Sequence, residues 1–251
     1  MSNAMEAEFD TVAEWTAEVA LDLGPDYYVP AGCRGSGSPP ALDWLIDGMH
    51  LAPGATLLDC GAGVGGPAAY AAHSCAALPV LVEPEPGACR AATKLFGYPV
   101  VRAEGSTLPM ADASVDAAWA LGVLCTTAQQ QELLDELHRV VRPGGRIGLL
   151  VFVAERELSS SESEGNHFPT PSRLMGLVER SSLRLEQWLS TGNLPAIPGS
   201  WTERMDAIDQ ALSDRHGQTE AWQLAERQSS RIGGLLDDEA LTGALLVLRR
   251  G

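Results

Sequence analysis

The run Leu57-Leu58-Asp59-Cys60-Gly61-Ala62-Gly63-Val64-Gly65-Gly66-Pro67 limits what this 251-residue chain can fold into more than any other stretch. Two apolar residues and an acid lead into a glycine-packed turn, and the small residues Ala68-Ala69-Tyr70-Ala71-Ala72 follow. This order predicts a buried strand that ends in a tight turn and opens a helix. Glycines suit such a turn because Cβ atoms would obstruct the chain and hold a ligand away from the backbone. Pro67 suits a first helical turn, where its missing N–H has no intrahelical role.

Strand and helix signals alternate around this run. Strands are expected at about residues 55–60, 79–83, 99–103, 115–121 and 146–153. An N-terminal helix over 7–21 carries Phe9, Val12, Ala13, Val19 and Ala20 as a partial apolar stripe. A loop rich in Gly, Ser and Pro occupies 25–40, and a helix over 41–50 feeds the first strand. Leu133, Leu134, Leu137, Val140 and Val141 repeat at helical spacing over 129–141, and Pro143-Gly144-Gly145 stops that helix. Beyond it come a polar loop at 154–169 with an expectedly mobile 159–164, a helix at 170–181 and a strand at 183–189. Residues 194–240 exceed a plain connection, and 241–248 reads as a last strand. Such alternation implies an α/β, Rossmann-like, doubly wound sheet, mostly parallel, with ligands beyond the carboxyl strand ends. We divide the chain into an N-terminal helix and cap loop (1–40) and a main domain (41–251), with 194–240 a helical insertion and candidate lid.

Composition narrows the functional classes. Hydrophobic residues make up 45% of the chain, yet no apolar run approaches a membrane span. The start, Met1-Ser2-Asn3-Ala4-Met5, reads as an expression remnant before a native Met5, with no secretory signal. Five cysteines without a C-x-x-C pair fit a reduced, cytoplasmic protein. A net charge of −16 repels polyanions at long range and argues against nucleic-acid partners.

Two cofactor classes use a turn of this kind. Gly61-x-Gly63-x-x-Gly66 satisfies the dinucleotide fingerprint, and Glu83 stands about 20 residues on, where a ribose-binding acid belongs. Asp59 points the other way. An acid at a carboxyl strand end can face a cationic amino acid moiety, whereas it would repel a pyrophosphate.

Four blocks in order make the chain resemble a class I S-adenosylmethionine-dependent methyltransferase of the small-molecule group that holds the quinone, sterol and tocopherol enzymes. They are Leu58-Asp59-Cys60-Gly61-Ala62-Gly63 with Gly65-Gly66-Pro67-Ala68; Val80-Leu81-Val82-Glu83-Pro84; Glu104-Gly105-Ser106-Thr107-Leu108-Pro109 with Ser114-Val115-Asp116-Ala117-Ala118-Trp119; and Glu136-Leu137-His138-Arg139-Val140-Val141-Arg142-Pro143-Gly144-Gly145. Together they cover about 41–153. Two departures stand out: Glu104 replaces the usual Asp, and Cys125 stands where many relatives carry His.

The resemblance implies a seven-stranded sheet with an antiparallel last strand and helical cap insertions. It implies S-adenosylmethionine as cofactor and a small molecule as methyl acceptor at O, C or N. Asp59 would hold the ammonium end of the cofactor, directly or through water, while Gly61, Ala62, Gly63 and Gly65 approach with their backbone. Glu83 would accept both ribose hydroxyls, Pro84 would lie against the adenine, and Glu104, Gly105 and Ser106 would read its edge. Leu121 and Gly122 would pass carbonyls near the methionyl amine. Tyr27, Tyr28, Cys125 and Trp201 are candidate substrate-pocket residues.

A sulfonium is already activated, so transfer mainly needs a nucleophile held about 3 Å from the methyl in a dry pocket. A base matters where the nucleophile must lose a proton. Of the five histidines, His167 in Asn166-His167-Phe168-Pro169 is the candidate base, because it follows the fifth strand. No His/Cys set has metal-ligand spacing, so no metal is expected. Convergence of Cys33, Cys60 and Cys125 would instead suit an arsenite or thiol methyltransferase. A silent methyltransferase-like binding protein and an NAD(P)-dependent oxidoreductase stay open beside the enzyme reading, as does the oligomeric state.

Overall fold

The computed structural model describes residues 7–163 and 165–251. The expression remnant expected at Met1–Met5, and Glu164 of the serine-rich stretch, lie outside the described residues. Seven strands form one sheet: β1 (Thr56–Cys60), β2 (Leu78–Glu83), β3 (Val100–Arg102), β4 (Val115–Leu121), β5 (Val141–Ala154), β6 (Leu183–Ser190) and β7 (Leu241–Arg250). Their order is β3-β2-β1-β4-β5-β7-β6. Strands β1 to β5 run parallel, and β7 enters antiparallel between β5 and β6. The doubly wound sheet with an antiparallel last strand is therefore the fold.

Helices cover both faces, and strand alternation sorts the side chains between them. Leu58 and Cys60 of β1 face one layer, packed with Leu133, Leu134 and Leu137 of α6 (Gln130–Val140) and Leu174 and Leu177 of α8 (Pro171–Arg180). Leu57 faces the other, with Trp119 of β4 and Leu42, Leu45 and Met49 of α3 (Pro39–Met49). The glycine turn leads from β1 into α4 (Gly66–Cys75), and α5 (Pro86–Phe96) follows β2.

One boundary differs from expectation. Helix α6 ends at Val140, but β5 begins at once with Val141 opposite Val115, five residues before the expected start at 146. Pro143-Gly144-Gly145 is a bulge inside the strand, with pairing resuming at Ala117 and Arg146. Gly144 has φ +78°, and a Cβ on Gly145 would lie 2.6 Å from the Asp116 carbonyl oxygen, so no larger residue suits the bulge. The serine-rich stretch, expected as mobile loop, holds a one-turn helix, α7 (Ser160–Ser163). Ser159 N–H and Oγ both donate to the Glu162 carboxylate, a local capping arrangement that polar composition conceals.

At the carboxyl edge, two further pieces of chain gather. A π-helical turn (Ala7–Val12) runs into α1 (Ala13–Leu23), and a short α2 (Tyr28–Gly32) lies within the expected loop. The Asp10 carboxylate accepts from Gly87 N–H at the start of α5, and Arg90 of that helix pairs with Glu14 at 2.7 Å. Gly32 and Gly66 touch backbone to backbone: a Cβ on Gly66 would lie 2.1 Å from Gly32 C. Between β6 and β7 the expected insertion forms α9 (Gly199–His216) and α10 (Glu220–Asp237).

Candidate functional site

Beyond the carboxyl ends of β1, β2 and β4 lies a cavity of about 1010 Å³. This is at the top of the range for small-molecule sites and leaves room for two ligands side by side. One wall is the strand-end side. Gly61, Ala62, Gly63 and Val64 line it, with Glu83, Pro84, Glu104, Gly105, Ser106, Leu121 and Gly122.

The glycine turn works by what it omits. Gly61, at φ +71°, would drive a Cβ to 2.3 Å from Val123 Cγ2. Gly63, at φ +53°, would meet nothing within 4 Å, so its backbone faces open space. Gly65 serves packing instead of the cavity: its Cβ would strike Leu81 Cδ2 at 2.8 Å. Gly105 is required by crowding as well, since a Cβ there would lie 2.8 Å from both Cys60 Sγ and Leu133 Cδ1.

Glu83 ends β2 nearly buried, at 5% exposure. Oε2 accepts from Gly63 N–H at 2.8 Å and Oε1 from Glu85 N–H at 3.0 Å. Both oxygens are thus aimed by the backbone, and each keeps a second lone pair for another donor. Burial pushes this acid up from 4.5 to about 7; the two N–H donors oppose the shift, and Glu85 and Glu104 add to it.

Asp59 sits behind the wall and does not line the cavity. Its side chain shares the Trp119 face of the sheet, as strand alternation requires. Burial likewise raises it, from 3.8 to about 7, with the Trp119 indole and the Ala68 N–H opposing and Glu83 reinforcing. The indole lies close without hydrogen-bond geometry: neither Asp59 Oδ2 nor Trp119 Nε1 has a hydrogen-bond partner among the described residues. Asp59 therefore has no direct face on the cavity.

Ser106 Oγ donates to Gln129 Oε1 at 3.0 Å, and Glu104 stands exposed at the rim. His167 lines the cavity beyond β5; its N–H donates to Cys125 O at 2.7 Å, and its carbonyl accepts from Gln130 Nε2 at 2.6 Å. Backbone bonds therefore fix this loop residue while its side chain stays exposed. Cys125 also lines the cavity, but its Sγ bonds the Phe152 backbone, and burial raises the thiol to about 12, so it is a neutral wall atom.

Three expected pocket residues are elsewhere. Tyr27 and Tyr28 pack on the cluster of Val12, Ala17, Leu212 and Trp222, because the 3-10 turn Pro25–Tyr27 and the start of α2 place them against the insertion helices. Trp201 meets Tyr70 edge-on at 6.4 Å beside α3. Cys33 and Cys60 are buried away from the cavity wall, so no three-thiol site forms with Cys125.

The second wall escaped sequence reasoning almost entirely. It consists of Phe9, Val12, Ala13 and Thr16 from the N-terminal helices, Arg34 to Ser36 from the cap loop, and Gln228, Ser229, Ile232, Gly233 and Leu236 from α10. Of this wall, the apolar stripe around Phe9, Val12 and Ala13 was visible as a pattern, but not what it faces. Arg34 ties the pieces together. Its Nε bonds Asp209 at 2.9 Å, Nη2 lies 3.8 Å from Glu226, and the guanidinium stacks 5.5 Å above the Trp222 ring.

This is the sheet order, edge and glycine cradle of the class I methyltransferase fold. The comparisons agree: residues 58–149 match the family described as "Methyltransferase domain". Over 97 residues the chain is 43% identical to an uncharacterized methyltransferase of Mycolicibacterium vanbaalenii, covering 37% of each. Over 108 residues it is 35% identical to 24-methylenesterol C-methyltransferase 2 of Oryza sativa subsp. japonica, covering 40% of this chain and 30% of that one. The matches thus span well under half the length of these relatives. Among solved structures, a [4+2]-cyclase shares the fold at TM-score 0.66 and 20% identity, over 83% of this chain and 79% of that one.

Proposed function

We propose that this protein transfers a methyl group from S-adenosylmethionine to a small acceptor molecule. The observation that carries the reading is Glu83, whose two oxygens are already aimed by Gly63 and Glu85 N–H groups beside an open glycine turn. That arrangement fits a vicinal diol. The unpartnered Asp59 Oδ2 behind it fits an ammonium reached through water. When bound, the cofactor supplies a methyl group on a sulfonium, which needs no further activation.

The chain's own residues then have four tasks. Glu83 holds the ribose, with Pro84 and Gly105 beside the base and Glu104 and Ser106 at its edge. Gly61 to Gly63, with Leu121 and Gly122, bring backbone close to the methionyl part. The second wall excludes water and orients the acceptor. His167, fixed at the rim between Cys125 and Gln130, takes a proton where the acceptor atom is a hydroxyl.

Incubation with methyl-labelled S-adenosylmethionine and fractionated metabolites, read by mass spectrometry, tests this. Label should move to a small molecule, and calorimetry should find binding of S-adenosylhomocysteine but not NADH. NADH binding without S-adenosylhomocysteine binding would return the glycine turn to the dinucleotide reading. The cyclase name of a fold neighbour favours a second reading, ligand binding or rearrangement without methyl transfer. Cofactor binding with no labelled product from any fraction would support it.

A further inference from the structure

The second wall of the cavity has a chemistry of its own. Gln228 of α10 is 2% exposed on that wall, and its Oε1 has no hydrogen-bond partner among the described residues. A buried amide oxygen left without a donor is costly, and a donor from the cavity's occupant would remove that cost. The same wall carries the apolar side chains of Phe9, Val12, Ala13, Ile232 and Leu236, with the polar Thr16, Ser36 and Ser229 among them. Phe152 and Phe168 also line the cavity.

Charge sorts the candidates further. Among the described wall residues Arg34 is the one full cation, against the carboxylates Glu83, Glu85 and Glu104. Arg34 is already committed to Asp209, Glu226 and the Trp222 ring. An anionic acceptor would therefore meet no free side-chain cation among the described residues of the second wall. Its desolvation would go uncompensated.

Resting on the proposed activity, we infer that the acceptor is an uncharged, largely apolar molecule with a hydroxyl or amine N–H, and that Gln228 Oε1 accepts from that group. Phosphorylated and carboxylated acceptors are excluded by the same wall. Gln228 is then a specificity-determining residue, placed on the insertion and outside the matched segment 58–149.

The test uses protein saturated with S-adenosylhomocysteine and two matched sets of probes. One is naphthalene, 2-naphthol and 2-naphthoate; the other is farnesene, farnesol and farnesoate. Dissociation constants are measured by equilibrium dialysis for wild type and for Gln228→Met, which keeps side-chain length. In at least one set the alcohol or phenol should bind roughly five- to tenfold tighter than its hydrocarbon, as one hydrogen bond allows. The carboxylate should bind weakest, and Gln228→Met should erase the hydroxyl advantage while S-adenosylhomocysteine affinity and melting temperature stay at wild-type values. Binding of the carboxylate as tight as the alcohol, a hydroxyl advantage that survives in Gln228→Met, or binding of no probe would overturn the inference. So would a matching loss of S-adenosylhomocysteine affinity, which would make Gln228 a cofactor contact. Failure of wild type to bind S-adenosylhomocysteine would instead overturn the methyltransferase reading itself.

Discussion

Glu83 concentrates more of the proposed chemistry than any other side chain, and its surroundings make its behaviour testable. Hydrogen bonds to a charged group contribute about 1.5–3 kcal/mol, so Glu83→Ala should weaken S-adenosylhomocysteine binding by that amount in calorimetry. Proton linkage gives a second handle. Burial holds Glu83 and Asp59 near 7, above the usual carboxylate range, so the folded protein binds more protons than the unfolded chain between about pH 4 and pH 7. Stability of the ligand-free protein should therefore fall as pH rises through that window. Ribose hydroxyls donate to the ionised form, so cofactor binding should release protons near pH 7 and tighten from pH 6 to pH 8. Calorimetry in buffers of different ionisation enthalpy reads the release, and proton uptake would contradict the assignment. For His167, replacement by Ala should lower kcat about 10²–10⁴-fold on a hydroxyl acceptor with cofactor affinity intact. An effect below threefold would remove it from the mechanism. Residues on the strand ends could be read in advance because motif spacing and strand position place them. Tyr27, Tyr28 and Trp201 could not, since their direction depends on how α2 and the insertion helices pack, which no local pattern encodes.

The two cap pieces behave as one unit by construction. Arg34 links the cap loop to both insertion helices, Trp15 of α1 stacks on His216 at 3.9 Å, and Arg215 pairs with Asp22 at 2.7 Å. Closure over the sulfonium, if the caps act as a lid, must engage 7–40 and 194–240 together. Hydrogen exchange should show protection rising in both segments on addition of S-adenosylhomocysteine. A rise in one without the other would break the linkage, and no change in either would make them scaffold. The N-terminal helix and a helical insertion over 194–240 were expected from the sequence, whereas α2 lay inside the expected loop, and Thr219 and Thr170 cap α10 and α8 in the structure. The division of labour within the insertion was not expected: α10 lines the cavity while α9 backs the N-terminal helices, a matter of tertiary packing. The bulge in β5 was hidden for a similar reason. Pro-Gly-Gly reads as a stop, and here the neighbouring strand carries pairing past it.

Across the whole molecule, the mostly parallel doubly wound sheet followed from alternation, and its antiparallel last strand from the resemblance, because parallel crossovers leave few topologies. The charge of −16 disfavours polyanionic partners whatever the site does. Among the described residues no helix is long and apolar enough to cross a membrane. The sheet order carries one more consequence, for how the chain is made. β6 has a single neighbour, β7, which follows it by the whole length of α9 and α10. During synthesis β6 must therefore wait with an unsatisfied edge until the last strand emerges from the ribosome. β5, whose outer edge is taken by β7 over nine residue pairs from Arg146 to Ala154, waits with it. The half of the sheet bearing the glycine turn can assemble early from near neighbours, while the half supporting the insertion depends on contacts distant in the chain. Such late, non-local pairing is where a nascent chain is slowest and most open to aggregation. The α10 side of the cavity, carried between β6 and β7, would thus be the last to be fixed in place.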